Sequence, residues 1–344
     1  MKQAPKPTIK DVALRAGVSP TTVSYVLNKT RFVSPDTEAR ILSAIQDLDY
    51  HPDYIARSLR ARRTLTVGMV VSDIANPFYA DTVRGAEDVL SGKNYSLILC
   101  NTDESPEHEL SILQLLRSKK VDGLILVATG QNVDQLYEAS SAGLPIVLVD
   151  RRLPEDRLDT VVVDDQQGSY QAVCHLLDHG HKRIGMIMSR CGISTTVHRC
   201  QGYELALRDH GLTPDPALMV DGHSTFEGGA NAASLLLDLN PRPTAIFSAN
   251  NLMTVGLFLT MKQRHLSCPV DMAVVGFDDM VWFSVFTPGL TTVAQPNYDL
   301  GKRAAELLWE RMVGERNNHP CIVELPARLV IRESCGCGSS KVAL

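Results

Sequence analysis

Two sets of side chains in this sequence of 344 residues have the chemistry of recognition rather than of bond breaking. The first is Ser19, Pro20, Thr21, Thr22, Ser24, Tyr25, Asn28 and Arg31, which bring short hydroxyls, an amide and a guanidinium into one segment. Hydroxyls at a helix start meet phosphate together with the free N–H groups of that helix and its dipole, and a guanidinium can grip guanine through two hydrogen bonds. The second set is Asp73, Phe78, Tyr79, Asp150, Arg199, Asn250, Asn251 and Asp278, scattered along the chain. Carboxylates, amides and a guanidinium hold hydroxyls in plane, and aromatic rings suit the C–H face of a polyol.

The first set needs helices to present it. Thr8 followed by Asp11 forms a capping signature, and Ile9, Val12, Ala13 and Ala16 then fall on one helical face. Gly17 permits a stop, and Ser19-Pro20 caps and restarts a second helix that buries Val23, Val26 and Leu27. A third begins at Ser34-Pro35 and carries Ile41, Ile45 and Leu48. Three short helices with a tight corner between the first two make helix-turn-helix architecture. Residues 53–63 follow with Arg57, Arg60, Arg62 and Arg63 around Leu59, and a leucine offered among cations suits a minor-groove wedge. A linker helix that packs Leu59 on the body is the plainer alternative.

The second set needs strand ends. Beyond Thr66 apolar runs alternate with amphipathic helices, as in parallel α/β layers, with strands expected near 67–71, 96–100, 124–127 and 146–149. The pattern then restarts. Val67-Gly-Met-Val-Val-Ser72 and Ile184-Gly-Met-Ile-Met-Ser189 are near copies, and Arg84-Gly85 and Gln201-Gly202 keep the same offset. Further strands are expected at 184–188, 245–248 and 273–276, with strand-like material from Ile322 to Ile331. Two open α/β units in series leave a cleft at the carboxyl ends of their strands, where the second set of residues falls.

Charge divides the same way. Residues 1–63 hold 11 Lys and Arg against 6 Asp and Glu, a net of +5, which leaves −10 for the remainder. A cationic head on an anionic body points to a polyanion partner for the head. Hydrophobic residues at 44% and charged residues at 21% fit a folded protein in water, and no run of about 18 apolar residues suggests a membrane span. The first seven residues lack a signal-peptide core, so the expected location is the cytoplasm, with no membrane partner. Eight scattered cysteines suit free thiols rather than a disulfide framework. The dinucleotide, phosphate-loop, nucleophile-elbow and zinc-protease motifs are all missing, so no catalytic residue, enzyme activity or cofactor is expected. His175, His179 and His181 end a helix, and Cys335-Gly-Cys337 lies in an expected tail without further ligands, so no metal is assigned.

The whole run from Thr8 to about Ser334 resembles the lactose-repressor (LacI/GalR-type) family of bacterial transcription regulators. The resemblance rests on Thr8-Ile-Lys-Asp-Val-Ala, Ala16-Gly-Val-Ser, Thr22-Val-Ser, Tyr50-x-Pro52, Ala56-Arg-Ser-Leu59, Asn76-Pro-Phe-Tyr79, Val121-Asp-Gly-Leu-Ile125, Gly276-Phe-Asp278 and Leu290-Thr-Thr-Val293. The head, with Asn28-Lys-Thr-Arg-Phe-Val33, is most similar to the purine and ribose repressors.

The resemblance implies a lambda-repressor-like headpiece over 1–50, a hinge helix and linker over 51–65, a periplasmic-binding-protein-like body over 66–335 and a tail over 336–344. The body would be two Rossmann-like lobes, 66–165 with 295–320 and 166–294 with 321–335. It further implies a homodimer, or a tetramer, that binds a palindromic operator and answers to a small metabolite in the interlobe cleft. Thr21 and Arg31 would contact bases, Asn28 phosphate, and Leu59 with Arg60 the minor groove. Pro20 and Tyr25 depart from the family pattern, so the direct readout differs from that of relatives. Phe78, Tyr79, Asp150, Arg199, Asn250 and Asp278 would contact the effector, while Asn251 replaces a commonly acidic residue. Ile193 stands where purine repressors carry Arg, which favours a sugar or sugar acid, with Arg199 as a clamp for carboxylate or hydroxyl. The competing reading is a sugar-binding or sugar-modifying α/β protein whose basic head is an interaction module. The resemblance does not decide whether the ligand induces or corepresses, nor the operator sequence.

Overall fold

A computed structural model of the chain describes residues 7–28, 31–50, 63–315 and 319–337, with the side chain of Asn28 left out. The chain separates into two compact units, divided after Thr64.

The first unit is built from α1 (Ile9–Ala16), α2 (Pro20–Asn28) and α3 (Pro35–Asp47). The Asp11 carboxylate accepts hydrogen bonds from the Thr8 N–H and hydroxyl, both at 2.7 Å, which holds the first turn of α1. Gly17 closes α1 in the left-handed region at φ 67°, and its N–H returns to the helix. Ser19 then caps α2, its Oγ accepting the Thr22 N–H at 3.1 Å. Val12, Val23 and Ile41 are fully buried, one from each helix, and Tyr50 closes the core.

The second unit contains two six-stranded sheets. In the first, β1 (Thr66–Val71), β2 (Ser96–Asn101), β3 (Gly123–Leu126), β4 (Ile146–Val149), β5 (Asp159–Val163) and β11 (Ile322–Leu325) lie in the order β2-β1-β3-β4-β5-β11, all parallel. In the second, β6 (Ile184–Met188), β7 (Met219–Asp221), β8 (Ala245–Ser248), β9 (Ala273–Phe277), β10 (Thr291–Ala294) and β12 (Arg328–Val330) lie in the order β7-β6-β8-β9-β10-β12. Among the described strands only β12 runs antiparallel to its neighbour. The order reverses between β1 and β3 in one sheet and between β6 and β8 in the other, and ligands of open α/β sheets bind at such reversals.

Helices α4 (Pro77–Gly92), α5 (Pro106–Ser118), α6 (Val133–Ser141) and α11 (Asn297–Val313) belong to the first lobe, and α7 (Asp165–Asp178), α8 (Ser194–Asp209), α9 (Phe226–Leu237) and α10 (Asn251–Gln263) to the second. The sequence repeat has a packing cause. A Cβ added at Gly85 would stand 2.0 Å from the Tyr298 carbonyl oxygen, where α4 meets α11. A Cβ added at Gly202 would stand 2.2 Å from the Gln166 carbonyl oxygen, where α8 meets α7. Each lobe needs glycine where two helix backbones touch.

The last crossing between lobes differs from the expected division. Residues 321–335 do not all join the second lobe, because β11 pairs with β5 in the first sheet and only β12 crosses to β10. Pro326, which has no N–H for a ladder, interrupts the apolar run between them. Strands β5, β7 and β10 add to those expected from the sequence. The C-terminal residues also depart from a free tail, since Cys335 is buried and Cys337 half-buried. Among the described residues no helix is long and apolar enough to cross a membrane.

Candidate functional site

The carboxyl ends of the strands in both lobes enclose a cavity of about 260 Å³, near the lower end of the ~300–1,000 Å³ usual for small-molecule sites. Asp73, Phe78, Tyr79, Asp150, Arg199, Asn250 and Asp278 all line it. Asn251 does not. Its side chain is buried behind the cavity and donates to Asn76 Oδ1 of the other lobe at 2.8 Å. The helix start explains this: Asn250 caps α10 by accepting from the Leu252 and Met253 N–H groups, which turns its successor away from the opening.

In the first lobe, Asp150 follows β4 with φ at 71°. Tyr79, in the first turn of α4, places its hydroxyl 2.8 Å from Ser72 Oγ and 3.5 Å from Asp150 Oδ2. Burial chiefly, with the Asp150 charge adding, pushes the Tyr79 phenol up, so it serves as a neutral hydroxyl. Phe78 stands edge-on to the Tyr79 ring, with centroids 4.9 Å apart, and presents the apolar wall. Burial pushes the Asp150 carboxyl up to about 7, against the pull of Arg151 and Arg199 and with help from Asp165 and Asp278. Beside it, Arg151 donates to both Glu104 oxygens, at 2.9 and 2.5 Å, and to the Ala128 carbonyl. Burial works to raise the Glu104 carboxyl, but these bonds from Arg151 hold it below the usual carboxylate range.

In the second lobe, Arg199 projects from α8 into a buried position at the cavity wall. Its Nε donates to Asp165 Oδ1 at 2.7 Å, one Nη donates to the Ala249 carbonyl at 2.7 Å, and the guanidinium lies 3.8 Å from the Phe277 ring centroid. Burial pushes Asp165 up to about 6 although Arg199 opposes it. Asp278 follows β9 with φ at 72°, accepting from the Asn251 N–H at 3.2 Å and from the Gln295 side-chain amide.

Several lining residues were not singled out from the sequence: Glu104 after β2, Arg190 after β6 and Gln295 after β10. All follow strand ends, the signal that identified the others. Gln295 Oε1 is buried without a hydrogen-bond partner among the described residues. Five carboxylates line the cavity, Asp73, Asp103, Glu104, Asp150 and Asp278, against the three guanidiniums of Arg151, Arg190 and Arg199. Arg151 and Arg199 are each already paired with an acid. The arrangement can accept hydroxyl donors and stack one apolar ring face, and it has little positive charge to spare.

The first unit carries the other site. Ser19, Pro20, Thr21 and Arg31 are exposed, and Thr22, Ser24 and Tyr25 are half-buried. Arg31 lies 5.3 Å from the Tyr25 ring centroid, so the two side chains share one surface. The Ser19 hydroxyl is already engaged with the Thr22 hydroxyl at 2.8 Å as well as with its N–H, which makes both part of the helix start. Asn28 ends α2, but its side chain, like Leu59, Arg60 and the expected hinge helix, lies outside the described residues.

Residues 8–53 match the family model for bacterial regulatory proteins of the lacI family. Residues 64–333 match that for periplasmic binding proteins and the sugar-binding domain of the LacI family. The HTH-type transcriptional repressor PurR of Photobacterium profundum is 39% identical over 329 residues, covering 95% of this chain and 98% of the relative. The transcriptional regulator CelR, solved in complex with cellobiose, superposes with a TM-score of 0.74 at 33% identity, covering 95% of this chain and 99% of that one. The Lac repressor dimer bound to operator and the anti-inducer ONPF gives a TM-score of 0.85 at 25% identity, over 96% of this chain and 99% of that one.

Proposed function

Because the chain belongs to the lacI family of bacterial regulatory proteins, we propose that it is a transcriptional repressor that binds a palindromic operator as a homodimer and is controlled by a sugar. It acts in the cytoplasm as a binding protein rather than an enzyme. The reading rests on one observation: the same chain carries an exposed helix-turn-helix surface and a separate two-lobed polar cavity. Thr21 and Arg31 read base edges, Ser19, Pro20, Thr22, Ser24, Tyr25 and Asn28 set the helix against the backbone, and Leu59 with Arg60 enters the minor groove.

The ligand is a neutral monosaccharide. Acidic side chains outnumber basic ones around the cavity, and two of its three guanidiniums already have carboxylate partners, which disfavours a sugar acid. Relatives named for purine repression share the fold, yet Ile193 puts an apolar side chain into the lining here. Asp150, Asp278, Asn250 and Gln295 take the hydroxyls, Phe78 takes the ring face, and Tyr79 orients Asp150.

The test measures operator affinity of the full-length protein against salt and against a panel of monosaccharides, aldonic acids and purine bases. Operator affinity should fall with salt at a slope of about −0.9 per neutralised phosphate, and one neutral sugar should change it without being converted. Sequence-blind DNA binding refutes the repressor. Response to an aldonic acid or a purine base alone refutes the sugar.

A further inference from the structure

The site described above leaves unused a group of soft donors at the far end of α7. Cys335 is 1% exposed, its Sγ is 2.9 Å from that of Cys337, and both sulfurs lie with a His175 ring nitrogen inside a group whose donor atoms are all within 4.8 Å of one another. His175 comes from α7, the two cysteines from the segment after β12, so the sequence kept them apart by more than the length of a lobe.

Three features prepare the group. Gly336 adopts φ 81°, a backbone that lets the cysteines on either side turn back toward the same point. The segment is fixed beforehand, because the Ser334 hydroxyl donates to the Val274 carbonyl at 2.7 Å and accepts the Thr291 N–H at 2.8 Å. The Thr291 hydroxyl in turn donates to Cys335 Sγ at 3.3 Å, the kind of outer contact that orients a thiolate ligand.

His175 supplies the independent observation. Its Nε2 is enclosed and meets no oxygen or nitrogen partner, and what the ring faces is the Cys335 thiol. The neighbouring histidine has its Nδ1 on the His175 carbonyl at 2.7 Å, with the two rings 4.4 Å apart. His179 thus braces the ring, and the i, i+4 histidine pair is not a ligand pair. Cys268, whose sulfur rests on the Ser334 carbonyl at 3.4 Å, is outside the group.

We propose that His175, Cys335 and Cys337 bind a soft d10 cation, Zn²⁺ or Cu⁺, that joins α7 to the C-terminal segment of the second lobe. Two sulfurs and an imidazole without a carboxylate reject Mg²⁺ and Ca²⁺ and select a thiophilic ion. Bond lengths of about 2.3 Å to sulfur and about 2.0 Å to nitrogen are within reach once the sulfurs part slightly. Three protein ligands satisfy Cu⁺ and leave Zn²⁺ one position for water.

The experiment uses the full-length protein, reduced with a phosphine under inert gas and titrated with Zn²⁺ or Cu⁺ against a chromophoric chelator. One equivalent should bind per chain, and the cation should shield Cys335 and Cys337, but not exposed Cys191, from alkylation. His175→Ala and Cys337→Ser should each weaken binding by at least about 100-fold, while Cys191→Ser leaves it unchanged. The alkylation pattern is read on the unaltered chain, so it stands even where a variant folds poorly. No stoichiometric binding, alkylation that the cation does not slow, or binding that survives both substitutions overturns the proposal.

Discussion

Asp150 and Asp278 occupy the same place in the two lobes: each follows a central strand, each has left-handed backbone near 70°, and each N–H donates at 2.9 Å across to the next strand, to Val161 or Val293. Their carboxylates nevertheless have opposite surroundings. Asp278 is tied to Gln295, on the second crossing between lobes, and to the start of α10. Asp150 has a long contact to Tyr79 and a neighbour, Arg151, whose best bonds go to Glu104. Duplicated backbones have therefore divided the labour. The first lobe leaves its carboxylate with room for a further hydrogen-bond donor, while the copy in the second lobe lines the cavity and is also tied to Gln295 and the start of α10.

The arginines give the strongest way to break this comparison. Arg199→Ala leaves Asp165, 3% exposed, without its cation, and a stranded buried charge costs about 3–5 kcal/mol in urea unfolding. Arg151→Ala leaves Glu104, which is 18% exposed and can recover water, so its cost should stay nearer the ~1–3 kcal/mol of an unsatisfied group. Equal losses would mean that the two lobes are held alike.

Titration sharpens the contrast next. An acid raised to about 7 from an ordinary value near 3.9 binds its proton more tightly folded than unfolded. Its contribution to the stability of the ligand-free protein is present in full below pH about 4 and is lost as pH rises through about 7. Asp150→Asn should abolish that part of the slope, seen as a wild-type advantage in urea that shrinks across this window. Asp165 is raised by burial in the same direction, so the variant keeps that part of the slope. A sugar that donates to the carboxylate should bind more tightly as pH rises through about 7. Asp150→Asn should weaken it by about 1.5–3 kcal/mol, the usual worth of a hydrogen bond to a charged group. Asp278→Asn should instead lower stability at neutral pH, because an amide nitrogen would face one of its present donors.

The smallest effect is expected at Asn251, which bonds to Asn76 across the cleft. Asn251→Ala should cost about 1 kcal/mol, leave sugar affinity nearly intact and reduce the change in operator affinity that the sugar produces. A large loss of sugar affinity would return Asn251 to the cavity wall.

Much of this architecture could be read from residues alone because its cause is local. Thr8 with Asp11, Gly17, and Ser19 with Pro20 dictate where the head helices start and stop, and alternating apolar runs mark most of the strands in the body. The repeat of Gly85 and Gly202 announced two lobes before any contact was known. Residues that follow strands were recognisable wherever the strand was. Gln295 escaped because β10 is a short polar-headed run, Thr291-Thr-Val-Ala, and Glu104 because a turn through Thr102 and Asp103 separates it from the end of β2.

Pattern and spacing along the chain thus determined the class of fold, the cationic head, the duplicated body and the strand-end origin of its cavity, since periodicity and capping act over a few residues. Only the folded chain decided which side chains meet. It turned Asn251 away from the cavity, engaged Arg199 with Asp165, sent the strands before and after Pro326 to different sheets, and set His175 beside Cys335 and Cys337. Such pairings depend on how helices and strands far apart in sequence pack, and on which buried groups must share a partner once water is excluded.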